Sequence, residues 1–243
     1  MPEESIDHID FEVLNTSFLA ERISNQNISI LEIKPSQFDG VAKAILASNK
    51  VVGTQKVSEI ASKDSVVAAT NGGYFSYERN LGIVGDPAGI SVIDGVLASE
   101  PVAHRPALLV KNNPKLSFEV LSNVTADISL ESGHSRLSVN GINRTPGKVF
   151  NCGFYESENL IASSHDTVCE TSDEVIVYNA LYGRLSADDF QGQTFVHISE
   201  EGRVIGFNQL EKSNLAPGEL VILATGKKEK ALKELLSARL PLI

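Results

Sequence analysis

The sequence has no tryptophan and a single methionine among its 243 residues, and neither scarcity bears on function. Other shortages do. Basic residues are outnumbered, 21 Lys and Arg against 31 Asp and Glu, for a formal charge of -10. Such a surface repels nucleic-acid phosphates and anionic bilayers, so neither is expected as a partner; one local basic pocket remains compatible with it. No apolar run approaches the ~18 residues of a membrane-spanning helix. The opening residues, Met1-Pro2-Glu3-Glu4-Ser5-Ile6-Asp7, are acidic and polar, unlike a secretory leader, so the chain as written reads as cytoplasmic. Cysteine occurs twice. Cys152 and Cys169 read first as unlinked thiols and next as a disulfide. His165, four residues before Cys169, makes a poor zinc signature without a second close ligand pair, and no metal or other cofactor is expected. A Gly-x-Ser-x-Gly elbow is missing. Ala224-Thr225-Gly226-Lys227-Lys228 lacks the first glycine and the Ser/Thr of a phosphate loop, so it reads as a helix start. No internal repeat, low-complexity tract or linker interrupts the chain.

What remains is ample for a folded domain. Hydrophobic residues make up 42% of the chain, enough to bury a sizeable core in one domain spanning 1–243. Strand patterns dominate. Ile28 to Ile33 alternates as a half-buried strand should, and Val66-Val67-Ala68-Ala69 reads as a buried strand. Gly89 to Ile93 and Val96 to Ala98 flank Asp94-Gly95, the strongest short hairpin signal, which makes Asp94 a turn residue. Further strands are expected at Ala107–Val110, Ser117–Leu121, Thr125–Leu130, Glu174–Tyr178, Phe195–Ile198, Arg203–Phe207 and Leu220–Ala224, with Glu200-Glu201-Gly202 as a hairpin loop. Helical spacing is expected over Phe38–Ala47, Lys56–Ala61 and Lys228–Arg239, the last closed by Pro241. The pattern predicts an α+β fold, a twisted mixed β-sheet with helices packed on it.

Three segments carry candidate chemistry. Asn71-Gly72-Gly73-Tyr74-Phe75 follows the Val66 segment; its two residues without Cβ can bare amide N–H groups to an anion or a sugar oxygen. Gly85-Asp86-Pro87-Ala88-Gly89 and His104-Arg105-Pro106-Ala107 come next, and Asn143-Arg144 later. Asn71 adds a carboxamide with donor and acceptor atoms. Arg105 is the main candidate phosphate ligand, because a guanidinium matches phosphate oxygens with paired donors. Each residue also has a plainer reading: a tight turn for the glycines, a surface ion pair for Arg105, a strand-end histidine for His104, a turn start for Asp86, a solvated loop residue for Arg144.

The order and spacing of these segments resemble the phosphodiester glycosidase family, whose members include the lysosomal uncovering enzyme and exopolysaccharide-associated bacterial proteins. The resemblance runs over roughly residues 25 to 225. It rests on Asn71 to Phe75, Pro87-Ala88-Gly89-Ile90, Asp94-Gly95 and Arg105-Pro106-Ala107, and more loosely on Val139 to Arg144, Val175 to Tyr178 and Tyr182-Gly183. It implies hydrolysis of a sugar joined through its anomeric oxygen to a phosphodiester, in a glycan or cell-surface polymer. Asn71, Arg105, His104 and Asp86 would be the catalytic group. Gly72, Gly73, Tyr74, Phe75, Gly89, Asn143 and Arg144 would hold a carbohydrate or sugar-phosphate ligand. Many members are exported, so export through a removed leader is the other expectation for localisation. One departure matters: the family's later Asp-Gly-Gly-Gly-Ser segment is missing, which points to a domain truncated at its C-terminus, to a naturally short member, or to the alternative of a non-catalytic module binding phosphorylated or acidic glycans on the same scaffold.

Overall fold

The computed structural model describes residues 31–34, 37–62, 66–77, 82–102, 105–122, 124–150, 152, 168–210 and 213–237. The chain divides into two units, Met1–Gly40 and Val41–Ile243. Of the first, residues 31–34 and 37–40 are described, and they hold no helix or strand.

The second unit is dominated by strands. Their chain order is β1 (Ser91–Ile93), β2 (Val96–Ser99), β3 (Ala107–Lys111), β4 (Ser117–Leu121), β5 (Ser129–Ser132), β6 (Ser135–Ser138), β7 (Gly141–Ile142), β8 (Lys148–Phe150), β9 (Val168–Glu170), β10 (Val175–Tyr178), β11 (Thr194–Ile198), β12 (Val204–Phe207) and β13 (Leu220–Ala224). Two α-helices, α1 (Val57–Ala61) and α2 (Lys228–Ser237), and two 3-10 turns at Ala47–Asn49 and Ala187–Phe190 complete the described elements.

The centre is a five-stranded sheet in the order β12-β11-β13-β10-β7. It is mixed: β10 and β7 run parallel, while β10–β13, β11–β13 and β11–β12 are antiparallel. Alternation along its strands explains why both faces are covered. Val175 and Val177 of β10, with Ile222 and Ala224 of β13, point into one cluster, where Leu130 and Leu137 of the β5–β6 ribbon meet Leu232 and Leu235 of α2. Ile176 and Tyr178, with Val221 and Leu223, point to the other, alongside Leu185, Phe190 and Phe195. Four smaller two-stranded ribbons, β1–β2, β3–β4, β5–β6 and β8–β9, accompany this sheet.

Most of the expected strands are present, and the Asp94-Gly95 hairpin forms as β1–β2 with both turn residues at positive φ, 48° and 85°. The Glu200-Glu201-Gly202 loop closes through the amide of Ser199 donating to the Arg203 carbonyl at 2.8 Å. The helix start at Thr225-Gly226-Lys227 is capped from a distance, the Lys227 amide donating to Asp173 Oδ1 at 2.8 Å. Four expectations differ. Of the strand expected over Ile28 to Ile33, the described residues Leu31, Glu32 and Ile33 form no strand. Val66–Ala69 is not a strand: it finds no ladder partner, and Val67 is exposed. The helix over Phe38–Ala47 does not form. Its last residue instead opens a single 3-10 turn in which Ser48 and Asn49 take φ of 51° and 57°, conformations that end a helix. Cys152 and Cys169 are joined in a disulfide rather than standing as separate thiols, because pairing of β8 with β9 sets Cys169 opposite Val149, near Cys152. Ile28 to Ile30, His104, His165 and Pro241 lie outside the described residues.

Candidate functional site

Two of the three motif segments meet. Phe75 bridges Pro87 in antiparallel fashion. Around that bridge the Ser76 amide donates to the Asp86 carbonyl at 2.8 Å, the Gly85 amide to the Ser76 carbonyl at 2.7 Å, and the Ala88 amide to the Tyr74 carbonyl at 2.9 Å. Gly85 makes the turn possible. It takes φ of +104°, and a Cβ there would strike the backbone oxygens of Val51 and Gly53. That same backbone continues the layer, since the Gly53 amide donates to Val84 O at 2.7 Å and the Val52 amide to Tyr182 O at 3.2 Å. Ser99 Oγ donates to the Pro87 carbonyl at 3.2 Å, tying the end of β2 to the same loop.

Asp86 is thereby carried into the protein. It is only 6% exposed, and among the described residues no hydrogen bond reaches its carboxylate. Burial raises its pKa well above the ordinary value of 3.8, the nearby Glu100 charge raises it further, and the Arg144 guanidinium opposes both. Glu100 is also raised, chiefly by burial, against the pull of Arg144 and of the Ile142 amide. Burial drives the Tyr182 phenol up to about 12, with the charges of Asp189 and Asp86 adding to the shift. Asp86, Glu100, Arg144 and Tyr182 therefore form one electrostatic group.

Arg144 is the pivot of that group. Nε lies 2.7 Å from Glu100 Oε1 and Nη2 lies 2.8 Å from Glu174 Oε2. Nη1 donates to the carbonyls of Thr145 and Lys148 at 3.2 and 3.1 Å, and Nη2 to that of Asn140 at 3.1 Å. Nη1 and Nη2 thus donate three hydrogen bonds to carbonyls, while Nε and Glu174 Oε2, both buried, make ion-pair contacts without a hydrogen bond of good geometry. The expectation of a solvated loop arginine is corrected: Arg144 is 2% exposed, because two acidic side chains and three carbonyls enclose it. Gly141 is required by the same packing, since a Cβ there would fall on the guanidinium. Tyr178, buried by the sheet, donates its hydroxyl to the Arg144 carbonyl at 2.9 Å.

Asn143 is fully buried at φ +53° and works as a clasp. Its Nδ2 donates to Ala98 O and Asn179 Oδ1, each at 3.0 Å, while its Oδ1 accepts from the Asn179 amide at 2.9 Å. Asn179 Nδ2 continues to Leu97 O at 2.7 Å, and Glu100 Oε2 accepts from the Ile142 amide at 2.8 Å. Side chains rather than a backbone ladder thus hold β2 beside β7 and β10.

The remaining expected residues lie at the surface or at its edge. Asn71, Gly72, Gly73, Tyr74 and Phe75 are exposed. Neither Gly72 nor Gly73 adopts the left-handed backbone, and no protein atom lies within 4 Å of where a Cβ would stand. Gly89 does need its missing side chain, at φ +133°. Arg105 is half-buried just before β3, its amide donating to Val102 O at 3.2 Å. Glu100, Glu174 and Asn179 were not singled out by the sequence reading, and Asn140 and Tyr182 entered it only within loosely resembling segments. Glu174 had a usable signal: an acid immediately before four apolar strand residues must either end the strand or be paired inside it. Among the described residues no group of His, Cys, Asp and Glu is arranged to hold a metal ion. No described helix is long and apolar enough to cross a membrane.

No family model matches the chain, and no curated protein does. Solved structures do. A candidate exported protein of Burkholderia pseudomallei is similar at 25% identity and a TM-score of 0.67, over 83% of this chain and 42% of its own. A hypothetical protein of Synechocystis is similar at 15% identity and a TM-score of 0.50, over 76% of this chain and 30% of its own, a likeness of fold alone. The chain therefore spans less than half the length of either structure.

Proposed function

We propose that this chain is a glycosidase-type hydrolase acting on a sugar joined through its anomeric oxygen to a phosphodiester. The observation that carries the proposal is Asp86: a buried carboxyl with no hydrogen bond to its oxygens among the described residues, its pKa raised beside a second carboxyl, on the loop paired with Tyr74-Phe75-Ser76 just after Asn71-Gly72-Gly73. Glu100 has both oxygens engaged, by Arg144 and by the Ile142 amide, so it positions and tunes rather than reacts. Asp86 is the group left to move a proton.

Cleavage breaks the bond from the anomeric carbon to oxygen, and the electron pair leaves with the phosphate. A phosphomonoester takes up its second proton near pH ~6, and a carboxyl whose pKa burial raises holds its proton longer than an exposed one, which suits it as proton donor. Asp86 gives its proton to the departing oxygen. Water then adds to the oxocarbenium-like carbon and returns a proton to the Asp86 carboxylate. Arg105 and the amides of Gly72 and Gly73 bind the phosphate oxygens, while Asn71, Tyr74 and Phe75 hold the sugar. Export is part of the reading: the Cys152–Cys169 disulfide suits an oxidising compartment, and the Burkholderia relative is described as a candidate for export.

The test is release of a phosphomonoester from a sugar-1-phosphodiester, followed by phosphorus NMR. Asp86→Asn should slow turnover by about 100-fold or more at unchanged fold, the size expected for a lost general acid. Arg105→Ala should abolish release. Undiminished turnover in the Asp86 variant removes the mechanism. A second reading is binding without cleavage. Calorimetric binding of the same diester with no product after long incubation would select it.

A further inference from the structure

We infer that a hollow of about 350 Å³ beside the start of β11 is a binding site for a neutral, hydroxyl-rich ligand of the size of one sugar ring. It lies between the Ala187–Phe190 turn, the first residues of β11, the end of β12 and α2, and shares no residue with the Asp86 group.

Its chemistry is specific. Gln193 Oε1 is buried in the hollow's wall without a hydrogen-bond partner among the described residues, which leaves an acceptor waiting for a donor. Asn208 is held at φ +49° with Oδ1 accepting from the Phe195 amide at 2.9 Å, so its Nδ2 remains as a donor. Thr194 Oγ1 donates to Glu229 Oε2 at 2.7 Å and fixes that carboxylate, whose other oxygen is a further acceptor. The rings of Phe190 and Phe195, 5.0 Å apart, supply an apolar floor. Two acceptors and one donor around an aromatic floor match a ring that presents hydroxyls at its rim and C–H bonds on its face, because each hydroxyl both donates and accepts. Among the described residues no lysine or arginine lines the hollow, and a carboxylate does, so a phosphate or an acidic sugar is disfavoured.

This inference does not depend on the hydrolase reading, and its test uses no phosphate. The full chain, labelled with ¹⁵N, is titrated with methyl α-D-glucopyranoside and with N-acetylglucosamine, with glucose 1-phosphate as the anionic comparator. Both neutral sugars should shift the amides of Gln193, Thr194, Phe195 and Asn208 saturably, and the phosphate should do so more weakly there. Gln193→Leu should weaken neutral binding by about tenfold, as expected for one lost buried hydrogen bond. Ala187→Trp, at an exposed position on the rim, should block it while leaving the rest of the spectrum in place. No shift at these amides with either neutral sugar overturns the inference. So do shifts that survive both substitutions, or a response to glucose 1-phosphate as strong as to the neutral sugars.

Discussion

At the scale of single residues, the argument turns on which charges the fold has neutralised and which it has left. Arg144 is enclosed by two carboxylates and three carbonyls, so removing it would strand Glu174, 1% exposed, and Glu100 without their cation. It therefore acts through structure, whatever the reaction. Asp86 is the opposite case. Its folded acidity lies above 3.8, so between 3.8 and that raised value the folded chain binds a proton that the unfolded chain releases. The sign follows: this residue costs nothing at low pH and lowers stability progressively as pH rises through that interval. Asp86→Asn removes the ionisation. The variant should melt near the wild type at about pH 4 and above it at about pH 8, with the gap widening between. Thermal melts followed by circular dichroism measure this, and a constant gap across that range would mean that Asp86 is not the buried acid described. Higher stability with lost turnover in one variant would be the mark of a strained functional group.

At the scale of elements, what could be read in advance was what local rules decide. Asp94-Gly95 announced β1–β2 because only a turn with positive φ at both positions joins such strands. The apolar runs of β10, β11 and β13 were legible because strands covered on both faces need no alternation. Val66–Ala69 has the same composition and is no strand, since composition does not supply a partner. The short strands β6 to β9 went unseen: two to four residues each, they exist through pairing and through the side-chain clasp of Asn143 and Asn179. For the site, the sequence marked Asn71, Asp86, Asn143 and Arg144, but Glu100 and Glu174 join it from distant positions that no local pattern links. The β8–β9 ribbon shows the same dependence on tertiary constraint. Its disulfide spans 17 residues of sequence, a loop whose closure contributes about 3 kcal/mol in the chain-entropy account. Urea unfolding with and without a thiol reductant should differ by roughly that amount, about 2–4 kcal/mol. Identical midpoints would show that the bridge constrains nothing the strands do not already hold.

At the scale of the whole molecule, the net charge of -10 and the proposed substrate stand in conflict, and the conflict can be measured. A phosphodiester-linked polymer is anionic, and an acidic protein repels it over the Debye length, about 10 Å at 0.1 M salt. The proposed short-range attraction of Arg105 acts after encounter, at a half-buried side chain that salt screens less than a fully exposed one. Raising ionic strength should therefore remove the long-range penalty before it weakens the contact. The expected result is that kcat/KM for a polymeric anionic diester rises several-fold between about 20 mM and about 200 mM salt, while kcat stays level. Neutral sugars at the hollow beside β11 should bind equally at both, because no charge on the ligand couples to the field. If kcat/KM instead falls with salt, a local positive potential governs approach to the site, and Arg105→Gln should then flatten the dependence. A fall that survives that substitution would place the attracting charge elsewhere and take Arg105 out of phosphate recognition.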